Sequence, residues 1–378
     1  MRWPHGALSA GIASGIKPEG LDLGVLLFDS PCAWAGTFTR NAAAAACVRW
    51  SRSLLARRIR AVVVNSGNAN ACTGWSGAHA VEQTARTAGG LLGCSPTEVL
   101  VASTGPIGVP FPLERLVDAL PKALVDLTPS TGPFSEAILT TDSGPKVASA
   151  TVEEAEVVGV GKGAAMLAPD MATMLAFIVT DARIEGRALH ECLRGAVDQT
   201  FNRISVDGCE STNDSVFAIA TGSGARVSGP KFMDALLGVC WDLAEQMARD
   251  AEGATRLVRI RIGGASDDST AATLGRAVAA SALWRAALHG ADPNWGRVLA
   301  ALGTADRTLD IDDVEIRIGQ ETVFACGEPS GSLSAAAREL TRSDVAVSCR
   351  VGRGHGSAEL LSSDLSPDYV TLNSTGTT

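Results

Sequence analysis

Residues 162–175 read KGAAMLAPDMATML. A lysine set between glycines leads into small residues and a proline, and the apolar run 174–179 follows. Two other segments share this mixture of small and polar residues. Residues 102–105, ASTG, close a short apolar run and offer a hydroxyl beside a backbone N–H. Residues 205–214 read SVDGCESTND. A hydrophobic core requires none of the three. Taken singly, each also reads as a turn, a solvated lysine or a capped loop.

Outward from these segments, short runs rich in Val and Ile alternate with helical patterns, which predicts an α/β or α+β architecture. Residues 61–64 (AVVV) read as a buried strand that ends in the loop 65–70, and 99–102 read as a second strand running into the turn 103–106. Residues 147–160 read as strand, interrupted by a turn at Glu153 and Glu154. Strict alternation in LVRIRI, 257–262, predicts a half-buried strand, and 314–318 and 345–351 read as strands as well. Helices are expected over 78–92, 111–124, 187–200, 231–251, 266–288 and 332–340. In 231–251, Leu236, Val239, Cys240, Leu243 and Met247 recur at helical spacing.

The 378 residues suggest two or three domains. With 46% hydrophobic and 19% charged residues, the chain can bury large cores and is not disordered. Forty glycines against 17 aromatics (7 Trp, 1 Tyr, 9 Phe) point to closely approaching backbone and many tight turns. A net charge of −9 argues against a broad nucleic-acid-binding surface. The nine cysteines are scattered singly with no CxxC pair, which argues against a disulfide framework or a zinc knuckle and suits a reducing compartment. The first twenty residues lack a continuous apolar stretch, and no run of 18 apolar residues occurs, so the expectation is a cytoplasmic globular protein.

Three tempting sites fail on their chemistry. Residues 159–163, GVGKG, place Gly163 where a phosphate loop needs Ser or Thr to hold magnesium. The five histidines show no paired-ligand spacing, and His289 before Gly290 reads as a helix C-terminal residue, so no metal is expected. No GxSxG elbow supports a serine triad.

Together and in this order, the three segments resemble the ornithine acetyltransferase family, the glutamate N-acetyltransferases. Its KGxxMxAPxMATML hallmark corresponds to 162–175. The likeness extends through 10–17 (AGIASGIK), 65–70, 102–108, 140–142, 205–214, 252–255, 289–297 (HGADPNWGR) and 373–378. Departures are Ala165 and Asp170 in the hallmark, Cys209 and Glu210 before STND, and Arg256 after EGAT. They bear on substrate choice more than on the chemistry.

The resemblance implies a two-lobed α/β (α+β) fold with sheets sandwiched between helices, of the self-cleaving N-terminal-nucleophile type. It implies a precursor cut between Ala172 and Thr173 into an α chain, 1–172, and a β chain, 173–378. The two chains would interlock and pair as a heterotetramer. Thr173 would be the nucleophile, and its freed α-amine, ordinarily titrating at about 7.7–8.0, would be the base. Thr104 and Gly105 would form the oxyanion hole. Thr141, Lys162, Thr173, Glu252, Asn373 and Thr378 would bind substrate, with Thr140 as the alternative should the threonine register shift by one. Gly161 and Gly163, flanking Lys162, would let backbone approach a small polar ligand.

The expected reaction moves an acetyl group from N-acetylornithine to glutamate in arginine biosynthesis, with no coenzyme required and acetyl-CoA possible as a further donor. Two other classes stay open on the residues alone. One is a specialised acyltransferase or an amidase of similar fold, and the other is an uncleaved, non-catalytic binding protein.

Overall fold

The computed structural model describes residues 1–167 and 174–375. In chain order its strands are β1 (Ala7–Ile12), β2 (Leu23–Phe38), β3 (Ile59–Ser66), β4 (Val99–Thr104), β5 (Lys146–Val152), β6 (Ala155–Lys162), β7 (Leu175–Thr180), β8 (Ser215–Ala220), β9 (Leu257–Ala265), β10 (Glu315–Ile318), β11 (Glu321–Ala325), β12 (Glu328–Pro329), β13 (Asp344–Arg350) and β14 (Gly356–Ser363). They form two sheets. The first runs β4-β3-β2-β8-β7-β6-β5, with β1 paired to β2, and the second runs β12-β11-β10-β13-β9-β14.

The first sheet depends on β2, which serves two neighbourhoods. Its first part pairs with β1 and β3, its register breaks between Leu27 and Cys32, and its last six residues pair with β8. Such a break bends a strand and lets one chain segment join two differently oriented groups of strands. β3 and β4 are parallel, and the helix Gly74–Leu92 makes the crossover between them. β7 and β8 lie, parallel to each other, between β2 and β6. Strands from before and after the predicted cut thus alternate in one sheet.

β7 shows why this sheet is buried on both faces. Leu175, Phe177 and Val179 enter one core with Phe134 and Phe217, and Ala176 and Ile178 enter a second with Leu236, Val239 and Leu243. Those last three belong to the helix Gly229–Arg249, whose apolar stripe lies on β5 and β6. Gly159 and Gly161 permit that approach. A Cβ on Gly159 would come within 2.7 Å of Val239, and one on Gly161 within 2.5 Å of Met247. Gly161 is therefore a helix-packing residue, not the ligand-facing one its place beside Lys162 suggests.

The second sheet has one continuous apolar face, while its other face is mixed, with Leu257 and Leu361 reaching the second core. Val258, Ile260 and Ile262 join a third core with Leu274, Val278 and Trp284, while Arg259 and Arg261 face Glu359. Arg259 also pairs with Glu245 of the helix Gly229–Arg249 at 2.7 Å.

Most expected elements are present within a few residues. One helix was over-extended: 266–288 is two helices, Asp268–Ala280 and Ala282–His289, because the Ser281 hydroxyl accepts the Trp284 N–H and starts the second. β1, β2, β8 and β14 carry no clear pattern in the sequence. β8 is buried along its whole length, and the exposed stretch 29–31, where the register with β3 breaks, interrupts the burial of β2.

Phe177 is fully buried, with ring centroids 5.1 Å from Phe134 and 5.5 Å from Phe217. Phe177→Ala is expected to lower stability by about 3–5 kcal/mol, measured as a shift of the urea midpoint.

Candidate active site

Four strand ends meet at one edge of the first sheet. β4 ends at Thr104 and β6 at Lys162; Lys162 is paired with Leu175 at the start of β7, and Leu175 with Ser215 at the start of β8. Between them lies a cavity of about 240 Å³, lined among others by Lys17, Thr104, Gly105, Thr140, Thr141, Lys162, Met166 and the run Ser211, Thr212 and Asn213. Thr104, Gly105, Thr141 and Lys162, expected at the site from sequence, are thus brought together. Thr140 lines the cavity too.

The Thr104–Gly105 turn is held rigidly. Gly105 has φ of +135°, and a Cβ there would stand 2.5 Å from the Asn68 nitrogen, so only glycine fits. The Asn68 N–H donates to the Thr104 carbonyl at 3.1 Å. From the opposite side, the buried Asn213 amide donates to the Ser103 carbonyl at 2.8 Å and the Ala69 carbonyl at 2.7 Å. Asn213 therefore locks the turn to the 65–70 loop.

Behind the cavity lies a buried charge cluster. Lys162 Nζ donates to Thr140 Oγ1 at 2.7 Å and, at a longer 3.4 Å, to Thr104 Oγ1. Its counter-ion is Asp142, at 3.7 Å, with a fully buried side chain. Asp142 also meets Lys146 Nζ at 2.7 Å and accepts the Gly163 N–H at 2.7 Å. Lys146 in turn reaches Asp250 at 2.6 Å. Burial pushes the Asp142 carboxyl up, but Lys162, Lys146 and the two donated hydrogen bonds outweigh it and hold it down to about 2. Lys17, whose Nζ donates to the Leu139 carbonyl at 3.1 Å, is lowered by burial, with Lys162 adding to the effect. The cavity lining thus sets the ammonium groups of Lys17 and Lys162 among threonine hydroxyls.

Two expected residues form a neighbouring group. Glu252 is not among the residues lining the cavity. Its N–H donates to the Ala164 carbonyl at 2.8 Å, and its Oε2 accepts from Asn373 Nδ2 at 2.9 Å. Its Oε1 is buried with no partner among the described residues. Ala165 and Met166, next to Ala164, line the cavity, so the backbone of Glu252 is tied to the segment that forms that wall. Ala172, Thr173 and Thr378, like Asp170, lie outside the described residues.

Sequence reasoning gave no role to Lys17, Asp142 or Asn213, although all three lie in segments it singled out. A charge or amide in a loop carries no signal of its partner until the fold supplies one. Among the described residues no three His, Cys, Asp or Glu side chains gather as a metal site.

A glycine-locked hydroxyl turn, a buried lysine and the start of a central strand define an enzyme site suited to acyl transfer. The chain belongs to the ArgJ family, whose model matches residues 8–378. It is 43% identical over 381 residues to the arginine biosynthesis bifunctional protein ArgJ of Thermus thermophilus, covering 100% of both chains. It is 40% identical over 388 residues to the glutamate N-acetyltransferase of Methanopyrus kandleri, covering 99% of each. Among solved structures, it matches the arginine biosynthesis bifunctional protein of Bacillus halodurans with 35% identity and a TM-score of 0.51, covering 53% of this chain and 98% of that one.

Asp142→Asn leaves two buried lysines short of a counter-charge and is expected to cost about 3–5 kcal/mol at neutral pH. Because the folded carboxyl titrates lower than the unfolded one, Asp142 contributes roughly 2 kcal/mol above about pH 4. That contribution fades as pH falls toward 2. Urea unfolding at a series of pH values should show a shallower acid loss in the variant than in the parent.

Proposed function

We propose that the chain is an acetyltransferase that moves the acetyl group of N-acetylornithine to glutamate through an acetyl ester on Thr173. The observation that carries this reading is the convergence of Thr104, Gly105 and Lys162 at the edge from which β7 starts, with Met174 one residue beyond Thr173. The names of the Thermus thermophilus and Methanopyrus kandleri relatives agree with it.

The chemistry begins with a cut between Ala172 and Thr173, which frees the α-amine of Thr173. That amine takes the Oγ proton as Oγ attacks the acetyl carbonyl. The developing oxyanion is met by the Thr104 hydroxyl and the Gly105 N–H. With a lone pair of Thr104 Oγ1 turned to the Lys162 ammonium, its own proton is left to donate. The C–N bond breaks and ornithine departs with the proton. The amine of glutamate then attacks the ester, Oγ regains a proton, and N-acetylglutamate leaves. An amide donor makes a coenzyme unnecessary. The thioester of acetyl-CoA could form the same ester, and the word bifunctional in the Thermus thermophilus name makes it the second donor to assay.

For recognition, Lys162 suits a substrate carboxylate, and the buried oxygen of Glu252 that has no partner among the described residues suits an ammonium group, with Thr141, Asn373 and Thr378 adding hydrogen bonds. The α chain, 1–172, and the β chain, 173–378, would stay joined after the cut through the β2–β8 and β6–β7 ladders. The Bacillus halodurans chain, covered to 98% by 53% of this one, has the length of one such half. Paired αβ units in the cytoplasm complete the reading.

Intact mass of the purified protein should give two chains that divide before Thr173. Incubation with N-acetylornithine and glutamate should yield ornithine and N-acetylglutamate. A single uncut chain, or free acetate as the sole product, would refute the mechanism. Thr173→Ala should abolish both processing and transfer, and Thr104→Ala should lower kcat by about 10²–10³-fold.

A further inference from the structure

The interval 168–173 is flanked on both sides by residues bonded to one loop. Upstream, Asp207 Oδ2 accepts the Met166 N–H at 2.5 Å, and the Val206 N–H donates to the Leu167 carbonyl at 2.6 Å. Met166 has φ of +53°, a left-handed conformation that is unfavourable without such support. Downstream, Asp214 Oδ1 accepts the Met174 N–H at 2.9 Å, and the Ser215 N–H donates to the Met174 carbonyl at 3.1 Å. Asp207 and Asp214 stand near the two ends of the 205–214 loop.

Asp214 is the unusual member. It is completely buried, yet among the described residues it has no ion-pair partner and its Oδ2 has no hydrogen-bond partner. Burying a carboxyl costs free energy that hydrogen bonds must offset, and among the described residues its donors are the Met174 and Ser211 N–H groups. Its bonded group is the nitrogen of the peptide that links Thr173 to Met174. Whatever fixes that nitrogen fixes the start of the run into β7, immediately after Thr173 in the chain.

We propose that Asp214 is a positioning residue for the reaction: by accepting the Met174 N–H it orients the nucleophile that precedes β7, both for the cut and for transfer. The proposal rests on Thr173 being the nucleophile. Burial drives the Asp214 carboxyl well above the usual carboxylate range, against the backbone donors and Lys162, and its Oδ1 accepts the Met174 N–H. An asparagine side chain can reproduce that acceptor, and an alanine cannot. Position is what matters here, since a misplacement of about 1 Å in a catalytic group can cost roughly 10²-fold.

The test compares the parent with Asp214→Asn and Asp214→Ala, following the fraction cut by intact mass and measuring kcat and KM on the cut enzyme with N-acetylornithine and glutamate. Alanine is expected to slow processing and to lower kcat by about 10²-fold with KM little changed. Asparagine is expected to recover most of that loss. Asp214→Glu, which keeps the acid but displaces its oxygen, should lower kcat likewise and decides the matter if the alanine variant does not fold. A parental kcat in the alanine and glutamate variants, a loss confined to KM, or an asparagine variant as impaired as alanine would overturn the proposal. A parent protein that is neither cut nor active would instead overturn the reading of Thr173, and this inference with it.

Discussion

The carboxylate of Asp142 is the point on which the site hangs. Two lysine ammonium groups, each on a side chain only 3% exposed, share it inside the protein, and neither could stay there uncompensated. Its bonds join elements distant in sequence: the 140–142 turn, the end of β6 through Gly163, and, by way of Lys146 and Asp250, the end of the helix Gly229–Arg249. With the carboxylate occupied from one side by Lys146 and Gly163, Lys162 is left facing Thr140 and Thr104. The direction of that ammonium follows from the cluster behind it.

A second constraint is the order of strands. β7 and β8 are laid between β2 and β6, so residues on either side of the interval 168–173 share hydrogen-bond ladders and both cores of the first sheet. An enzyme that cuts its own chain there would lose one covalent bond and none of that packing. The active-site edge collects the Thr104 turn from one half and the Ser211–Asn213 run from the other, and Asn213 bonds across to both Ala69 and Ser103.

Several features of the site were legible residue by residue. The turn after β4 announced itself as a hydroxyl next to glycine at the end of an apolar run, and Lys162 stood out among small residues. Gly161 misled for a physical reason. A glycine beside a lysine looks like room for a ligand, but the space is filled by Met247 from a helix that begins almost seventy residues later in the chain. β8 was missed because a strand buried on both faces has no alternation to read.

What the sequence determined by itself was local: which runs extend, which coil, where a turn demands glycine, and which ordered segments mark the ArgJ family. These follow from steric and periodic preferences that act over a few residues. Tertiary structure alone decided that Lys146 and Lys162 converge on the same buried carboxylate, with Asp250 joined to it through Lys146. It also decided that Glu252 is tied through Ala164 to the segment lining the cavity, and that Asp207 and Asp214 grip the two flanks of one short interval. Charge pairing and desolvation depend on distance in space, and no spacing along the chain encodes that distance.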